Sequence, residues 1–303
     1  MRDLWITHRN KYIKDGIAYS DDHRANLLHG EDNFEAMLEY MDKDGFGYLY
    51  TIDDVGIEFT YILRGSMELR QGEESIILRA GDSYSHHALP NCVLFHILED
   101  VEILEVSTRP HYDVYEKDQK VLTDVLTQLQ AVDGETLDHC NRVKKLSMGI
   151  AFYLRYQGNL DHLFFAAYFH DVGKSKIPVE ILTKPGRLTD AEYSIMKQHS
   201  RYTYEMIRDH YGEELASVAF GHHEKLDGTG YPLGLKGDEI SLASRIICVA
   251  DAYDAMVVTR PYRKALSIDE AMAELRRCVG TQFDARVVAA LEELNRDTGM
   301  KLG

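Results

Sequence analysis

Cysteine is scarce in this 303-residue chain and never clustered: Cys92, Cys140, Cys248 and Cys278 form no CxxC pair. That argues against a disulfide framework and fits a reducing compartment. Base is in short supply too, with 34 Lys and Arg against 50 Asp and Glu, a net charge of −16. So acidic a chain is not expected to partner polymeric nucleic acid, because phosphate binding needs an excess of base. A small anionic substrate in a local basic or metal-lined pocket stays open. No apolar run approaches the roughly 18 residues of a membrane span, and residues 1–10 lack the apolar segment of a signal peptide. The expectation is a soluble, cytoplasmic protein with no membrane span. Internal repeats and low-complexity tracts are missing as well. What is present is 45% apolar and 28% charged residues, enough for a packed core. The length allows one large domain or two ordinary ones.

Two halves differ in period. Residues 57–63, 66–70, 75–78, 92–98 and 101–107 are rich in β-branched and aromatic side chains. Turn signals separate them at Arg64-Gly65, Gln71-Gly72, Ala80-Gly81-Asp82 and Glu99-Asp100. Short strands with such turns predict an all-β sandwich or barrel. After Pro110 the spacing becomes helical, over 116–130, 138–156, 161–170, 190–211, 242–258, 268–278 and 285–295. Thr189-Asp190-Ala191-Glu192 and Ser267-Ile268-Asp269-Glu270 read as helix starts. Residues 1–115 hold 10 basic and 22 acidic residues, so the acidity lies mainly on the β half. The expected fold class is multidomain α+β, with a domain over 1–112, a linker helix over 113–134 and a helical domain over 135–303. The helix near 116–130 carries an apolar stripe and reads either as a plain linker or as a signalling or dimer helix.

The chemistry-bearing residues sit in the helical half. Glu135 and His139 are four apart and share a helix face. His170-Asp171 closes the apolar run 164–169, and Asp251 interrupts the apolar run 246–250. Polar groups in such settings need strong partners. His199, His222 and His223 complete the set. Each residue alone has an ordinary structural explanation, a hydrogen-bonded core histidine or a capping acid. Taken together, imidazole and carboxylate suit a first-row transition metal.

The spacing also resembles a family. His170-Asp171-Val172-Gly173-Lys174 is an HD dyad followed by GK. The stretch from His222 through Pro232 reads HHExxDGxGYP, and Arg260-Pro261-Tyr262-Arg263 follows. Over about residues 120–300 this resembles the HD-GYP subgroup of the HD-domain metal phosphohydrolases. The resemblance implies an all-α HD bundle that hydrolyses cyclic di-GMP to pGpG, and to GMP after a second cut. It implies that His139, His170, Asp171, His199, His222, His223 and Asp251 hold two divalent ions, Fe or Mn, with Asp171 between them. Glu135 falls where some members supply an acid for a third ion, or is a surface acid. Lys174 matches the lysine that faces the reacting phosphate, where positive charge offsets charge building on phosphoryl oxygens. Arg260 and Arg263 match a basic pair near the substrate, or form a solvated turn. Gly230 and Pro232 shape a loop bordering the site; Tyr231 either contacts substrate or packs. The resemblance further implies a homodimer and contact with a diguanylate cyclase or another protein. Cyclic GMP-AMP, a linear dinucleotide or another phosphoester stay open as substrates. So do a poorly active binding module and a phosphohydrolase of nucleotide mono- or triphosphates.

The β half resembles a cupin through Glu58-Phe59-Thr60-Tyr61-Ile62-Leu63-Arg64-Gly65 and the later Leu78-Arg79-Ala80-Gly81-Asp82. The HxH that metal-binding cupins carry before the glutamate is missing from 50–56, so the usual cupin metal lacks its histidine pair there. His86, His87 and His96 remain as candidate ligands, although plain surface or core histidines are favoured. A cupin-like barrel implies a sensor or dimerising domain with a small-molecule ligand of unknown identity.

Overall fold

The computed structural model describes residues 14–20, 23–31, 33–49, 56–87, 89, 93–108, 112–259 and 264–299. Arg260, Arg263, Cys92 and the 50–55 stretch lie outside the described residues. The chain divides into two compact units, Met1–Lys120 and Val121–Gly303.

Among the described residues the first unit is β as far as Thr108. Its strands are β1 (Lys14–Ser20), β2 (His23–Glu31), β3 (Phe34–Met41), β4 (Phe46–Leu49), β5 (Glu58–Gln71), β6 (Glu74–Arg79), β7 (Ser83–His86) and β8 (Val93–Ser107). They form one antiparallel sheet in the order β1-β2-β3-β8-β5-β6, with β4 on β8 and β7 on β5. Alternate residues of β3 are buried, as period-2 geometry requires. Met41, Ile62, Met67, Leu69, Leu78, Val93, Ile97, Val101 and Ile103 make the core.

Two features depart from the sequence reading. Strands β1 to β3 precede residue 45, where the pattern gave no strand. The inward positions of β3 include Glu35 and Glu39, so its alternation is not apolar against polar. Arg64-Gly65 and Glu99-Asp100 are bulges inside β5 and β8, not turns. The pairing slips there, from Ile62↔Ile103 through Arg64↔Glu102 to Ser66↔Glu99. Gly65 has φ +81°, and a Cβ on it would lie 2.1 Å from the Asp100 carbonyl oxygen. The two long strands therefore bend together where a side chain cannot fit, instead of reversing.

The second unit is helical: α1 (Tyr112–Asp133, which spans the division), α2 (Thr136–Leu154), α3 (Leu160–Phe169), α4 (Val179–Leu182), α5 (Asp190–Met196), α6 (His199–Tyr211), α7 (Glu213–Phe220), α8 (Leu242–Val257), α9 (Ile268–Arg277) and α10 (Ala285–Thr298). Short 3-10 turns cover Val172–Lys176, Gly221–His223 and Gly237–Glu239. α2 packs on α3, α8 and α10, and α6 packs on α7. Val143, Leu146, Leu163, Phe169, Ile207, Ile246, Val249 and Leu291 are all completely buried. The helix starts read at Thr189 and Ser267 are both present, each closed by a capping box. On α1, Leu122, Leu126 and Leu129 are buried within a single chain. Among the described residues no helix is long and apolar enough to cross a membrane.

One long helix was expected over 190–211, and it is broken after Met196. The His199 Nδ1–H donates to the Met196 carbonyl at 2.8 Å. A continuous helix would offer that carbonyl to the amide of Ser200. The break makes His199 the first residue of α6 and turns its ring toward the site.

Candidate metal centre

Seven of the sequence-predicted ligands come from five places in the fold. His139 lies in α2, His170 caps α3, and Asp171 follows it. His199 opens α6, His222 and His223 form the turn after α7, and Asp251 lies in α8. Gly173 locks the dyad onto α6. A Cβ there would meet the His199 carbonyl oxygen at 2.2 Å, and its amide donates to Thr203 Oγ1 at 3.0 Å. Thr203 Oγ1 in turn donates to the His170 carbonyl at 3.0 Å.

These residues converge. Asp171 Oδ2 lies 3.4 Å from His170 Nε2, 3.7 Å from His139 Nε2 and 2.6 Å from Lys174 Nζ. Its Oδ1 lies 3.4 Å from His199 Nε2. Asp251 reaches His139 Nε2 at 3.2 Å and His223 Nδ1 at 4.0 Å. Two sets of metal-grade donors result, His139–His170–Asp171 and His199–His222–His223, each with ligand atoms within 4.8 Å of one another. Among the described residues both such sets lie in the helical unit.

The tautomers follow from the backbone. His170, His199 and His222 each place Nδ1 on the carbonyl of the residue three before, at 2.8, 2.8 and 2.6 Å. A carbonyl only accepts, so Nδ1 carries the hydrogen and Nε2 presents a lone pair inward. Burial lowers all these imidazoles, His199 and His222 to about 4, so they stay neutral. His223 is pushed down for the same reason. Burial opposes charge on Asp171 and Asp251 as well, but the surrounding cations win. The Lys174 ammonium foremost, together with His139, holds Asp171 well below the carboxylate range, and His139 does most of this for Asp251. His170 Nε2, His222 Nε2 and Asp171 Oδ1 are buried with no hydrogen-bond partner. Buried polar atoms are left so only at a cost. Neutral imidazole lone pairs and ionised carboxylates facing one space fit divalent transition metals.

His139 behaves differently. Burial pulls it down, but hydrogen bonds to Asp251 and Asp254 more than offset this and lift it to about 9. Its Nδ1 is 2.6 Å from Asp254 Oδ2. Asp254 is wholly buried, and Arg142 clamps it through two hydrogen bonds of 2.5 and 3.0 Å. Sequence reasoning gave these two residues no role. The signal was present: Asp254 is three residues after Asp251 in α8, a second acid on the same side of an apolar helix.

A pH dependence follows for the metal-free protein. Between pH 6.5 and about 4 the unfolded chain protonates its histidines while buried His199 and His222 remain neutral. The unfolded state then binds more protons, so stability falls as pH drops through that window, by up to roughly 3 kcal/mol per imidazole. His139 has the opposite sign: its contribution is complete below pH 6.5 and is lost as pH rises through about 9. The thermal midpoint of chelator-treated protein should fall between pH 7 and pH 5, and metal loading should restore it. A flat midpoint would mean that the histidines are not held neutral.

The HHExxDGxGYP stretch forms the rim. Glu224 is buried, and its carboxylate accepts from the amides of Leu233, Gly234 and Leu235 at 2.6, 3.1 and 3.0 Å. This fastens the loop and is a second role the sequence did not reveal. Gly230 is obligatory, since a Cβ would fall 2.4 Å from the Lys225 amide nitrogen and 2.6 Å from the His223 carbonyl oxygen. The Tyr231 ring lies 4.7 Å from the His223 ring, and Pro232 is exposed beyond it. Replacing Glu224 with Gln leaves one acceptor oxygen for three amides. Hydrogen exchange at Leu233 to Leu235 should quicken about tenfold, with α2 unaffected, because a charge-assisted bond is worth ~1.5–3 kcal/mol.

Not every candidate joins the centre. Glu135 is the half-buried residue before α2, one turn from His139, and belongs to neither close donor set. In the β unit, His86 Nε2 is 3.3 Å from Glu58 Oε2, His96 stacks on Phe46 at 4.2 Å, and His87 is exposed.

A helical unit built around a histidine–aspartate dyad defines an HD domain, and the family model described as HD domain matches residues 138–287. Residues 138–287 are thus an HD domain, with the sequence string of the HD-GYP subgroup. It is 37% identical over 183 residues to the cyclic di-GMP phosphodiesterase response regulator RpfG of Xanthomonas campestris, covering 59% of this chain and 48% of that one. It is 46% identical over 129 residues to 3'3'-cGAMP-specific phosphodiesterase 3 of Vibrio cholerae, covering 42% of this chain and 28% of that one. The chain thus spans less than half the length of either relative. Among solved structures, an RmlC-like cupin from Shewanella frigidimarina is similar over 34% of this chain and 89% of its own, at 14% identity and a TM-score of 0.29.

Proposed function

We propose that the helical unit is a metal-dependent phosphodiesterase that opens cyclic di-GMP to pGpG, with GMP as the product of a second cut. What supports this most is a single arrangement: inward-facing imidazole lone pairs around the ionised Asp171, with the Lys174 ammonium on its Oδ2 at 2.6 Å. His139, His170, Asp171, His199, His222, His223 and Asp251 would hold two divalent ions, iron or manganese. Glu135 is the candidate for a third. Ions held there supply Lewis acidity toward phosphoryl oxygen and acidify water near neutral pH.

The chain's own residues do the rest. Asp171 stays ionised at every working pH, which keeps Lys174 protonated. Lys174 is a quarter exposed and brings one positive charge to the non-bridging oxygens as negative charge builds there. Backbone carbonyls fix the His170, His199 and His222 rings, and Asp254 fixes His139, so no reorganisation is needed during the reaction. Gly230, Tyr231 and Pro232 border the substrate, and Arg260 and Arg263 are assigned to its phosphates through charge-assisted bonds.

Cyclic GMP-AMP is the second substrate reading, favoured by the 46% identity to a 3'3'-cGAMP-specific phosphodiesterase. We assign residues 1–112 to a cupin-like sensor for a small molecule, 113–134 to a linker helix and 135–303 to the enzyme. The assembly is a cytoplasmic homodimer that meets a diguanylate cyclase or another partner protein.

The test is turnover. Protein purified without oxygen is loaded separately with Fe(II) and Mn(II), bound metal is counted, and cyclic di-GMP, cyclic GMP-AMP and pGpG are followed by chromatography. Cleavage of cyclic di-GMP is the expected result. A metal-replete protein that leaves it intact overturns the substrate, and binding without cleavage makes the domain a receptor.

A further inference from the structure

We infer that Tyr193, Lys197 and Tyr231 form a guanine-binding subsite beside the metal centre. This rests on the cyclic-dinucleotide reading above and deepens it.

α5 is an unusual element. It is capped at its start by a complete box, yet none of its residues is buried. Tyr193 on it is half exposed, at 49%. The next turn carries Lys197, whose ammonium lies 5.3 Å from the Tyr193 ring centre and 5.7 Å from that of Tyr231. Among the described residues Lys197 has no carboxylate within ion-pair distance, so its charge faces two rings only. Tyr231 in turn packs on His223 at 4.7 Å and meets His199 edge-on at 6.4 Å. A continuous path of aromatic faces and one cation therefore leads from the metal-ligating imidazoles out to solvent.

That path suits a nucleobase. An exposed tyrosine face stacks on any base, and a cation beside such faces strengthens the platform. The ammonium adds discrimination. Lysine has three donors and no acceptor. Guanine presents the adjacent acceptors O6 and N7, whereas adenine places its N6 amino group where O6 would be. A lysine at the platform edge satisfies guanine and faces a donor on adenine. The cluster is not built to hold phosphate alone, because a phosphate would leave the half-exposed Tyr193 ring without use.

The test compares wild type with Lys197→Met and Tyr193→Ala in the full metal-loaded chain, with metal content counted in each. KM for cyclic di-GMP should rise about tenfold in both variants, with kcat and metal content within twofold. The wild-type preference for cyclic di-GMP over cyclic di-AMP, as KM or as inhibition constant, should collapse in Lys197→Met. An equal loss against the base-free diester methyl p-nitrophenyl phosphate would assign Lys197 to phosphate and overturn the subsite. Unchanged KM in both variants would overturn it too, as would a loss confined to kcat or metal content. The enzyme reading fails separately: a wild type that cleaves no cyclic dinucleotide but binds cyclic di-GMP in a Lys197-dependent way keeps the subsite and loses the hydrolase. Absence of binding overturns both.

Discussion

Asp171→Asn should strip the centre of at least one ion and lower turnover of the cyclic dinucleotide by on the order of 10³-fold or more, with the fold intact. One carboxylate here serves four groups. Oδ2 faces His139, His170 and Lys174, and Oδ1 faces His199. The two donor sets contain one carboxylate between them, so an amide at this position removes the negative charge that two divalent ions would share. It also leaves Lys174 without its counter-charge at 2.6 Å. Metal counting and circular dichroism on the same sample separate the effects. Wild-type metal content with wild-type turnover would show that Asp171 is a structural acid and that the chemistry lies elsewhere.

The dyad and the HHExxDGxGYP string were legible because their chemistry is local in sequence. His170 and Asp171 are adjacent, and Gly230 must be glycine because backbone meets backbone there. The supports were not legible, since each joins residues far apart in the chain. Arg142 and Asp254 are 112 residues apart and meet only because α2 packs on α8. Glu224 is visible in the motif, but its three amide partners lie nine to eleven residues on and are set by the loop path. Periodicity also mistook bulges for turns. Gly65 and Asp100 carry turn-forming character, but the close approach of Gly65 to the Asp100 carbonyl, which makes glycine necessary, belongs to the pairing of β5 with β8. In the same way the break before His199 is invisible to hydrophobic spacing, because it is accompanied by a side-chain hydrogen bond, from His199 to the Met196 carbonyl, that apolar periodicity does not encode.

Asp254→Asn tests whether the support matters as much as the ligands. Asp254 is wholly buried, accepts from Arg142 through both oxygens and holds His139 Nδ1 at 2.6 Å. An asparagine can keep one acceptor toward the imidazole, but its amino group then points at the guanidinium, donor against donor. Breaking a buried ion pair on one side costs about 3 kcal/mol or more. Losing the group that orients a ligating histidine lowers metal affinity roughly 10- to 100-fold. The variant should therefore lose both thermal stability and metal affinity. The double variant Asp254→Asn, Arg142→Met separates the two. Removing the stranded guanidinium should recover most of the stability and none of the metal affinity, because His139 still lacks its carboxylate. Recovery of both would mean that Asp254 serves the packing of α2 on α8 and has no hold on the metal. Recovery of neither would mean that Arg142 itself orients the site. The expected split makes Asp254 a positioning residue: it acts through His139, and saturating metal should return turnover toward wild type where no excess of metal rescues Asp171→Asn.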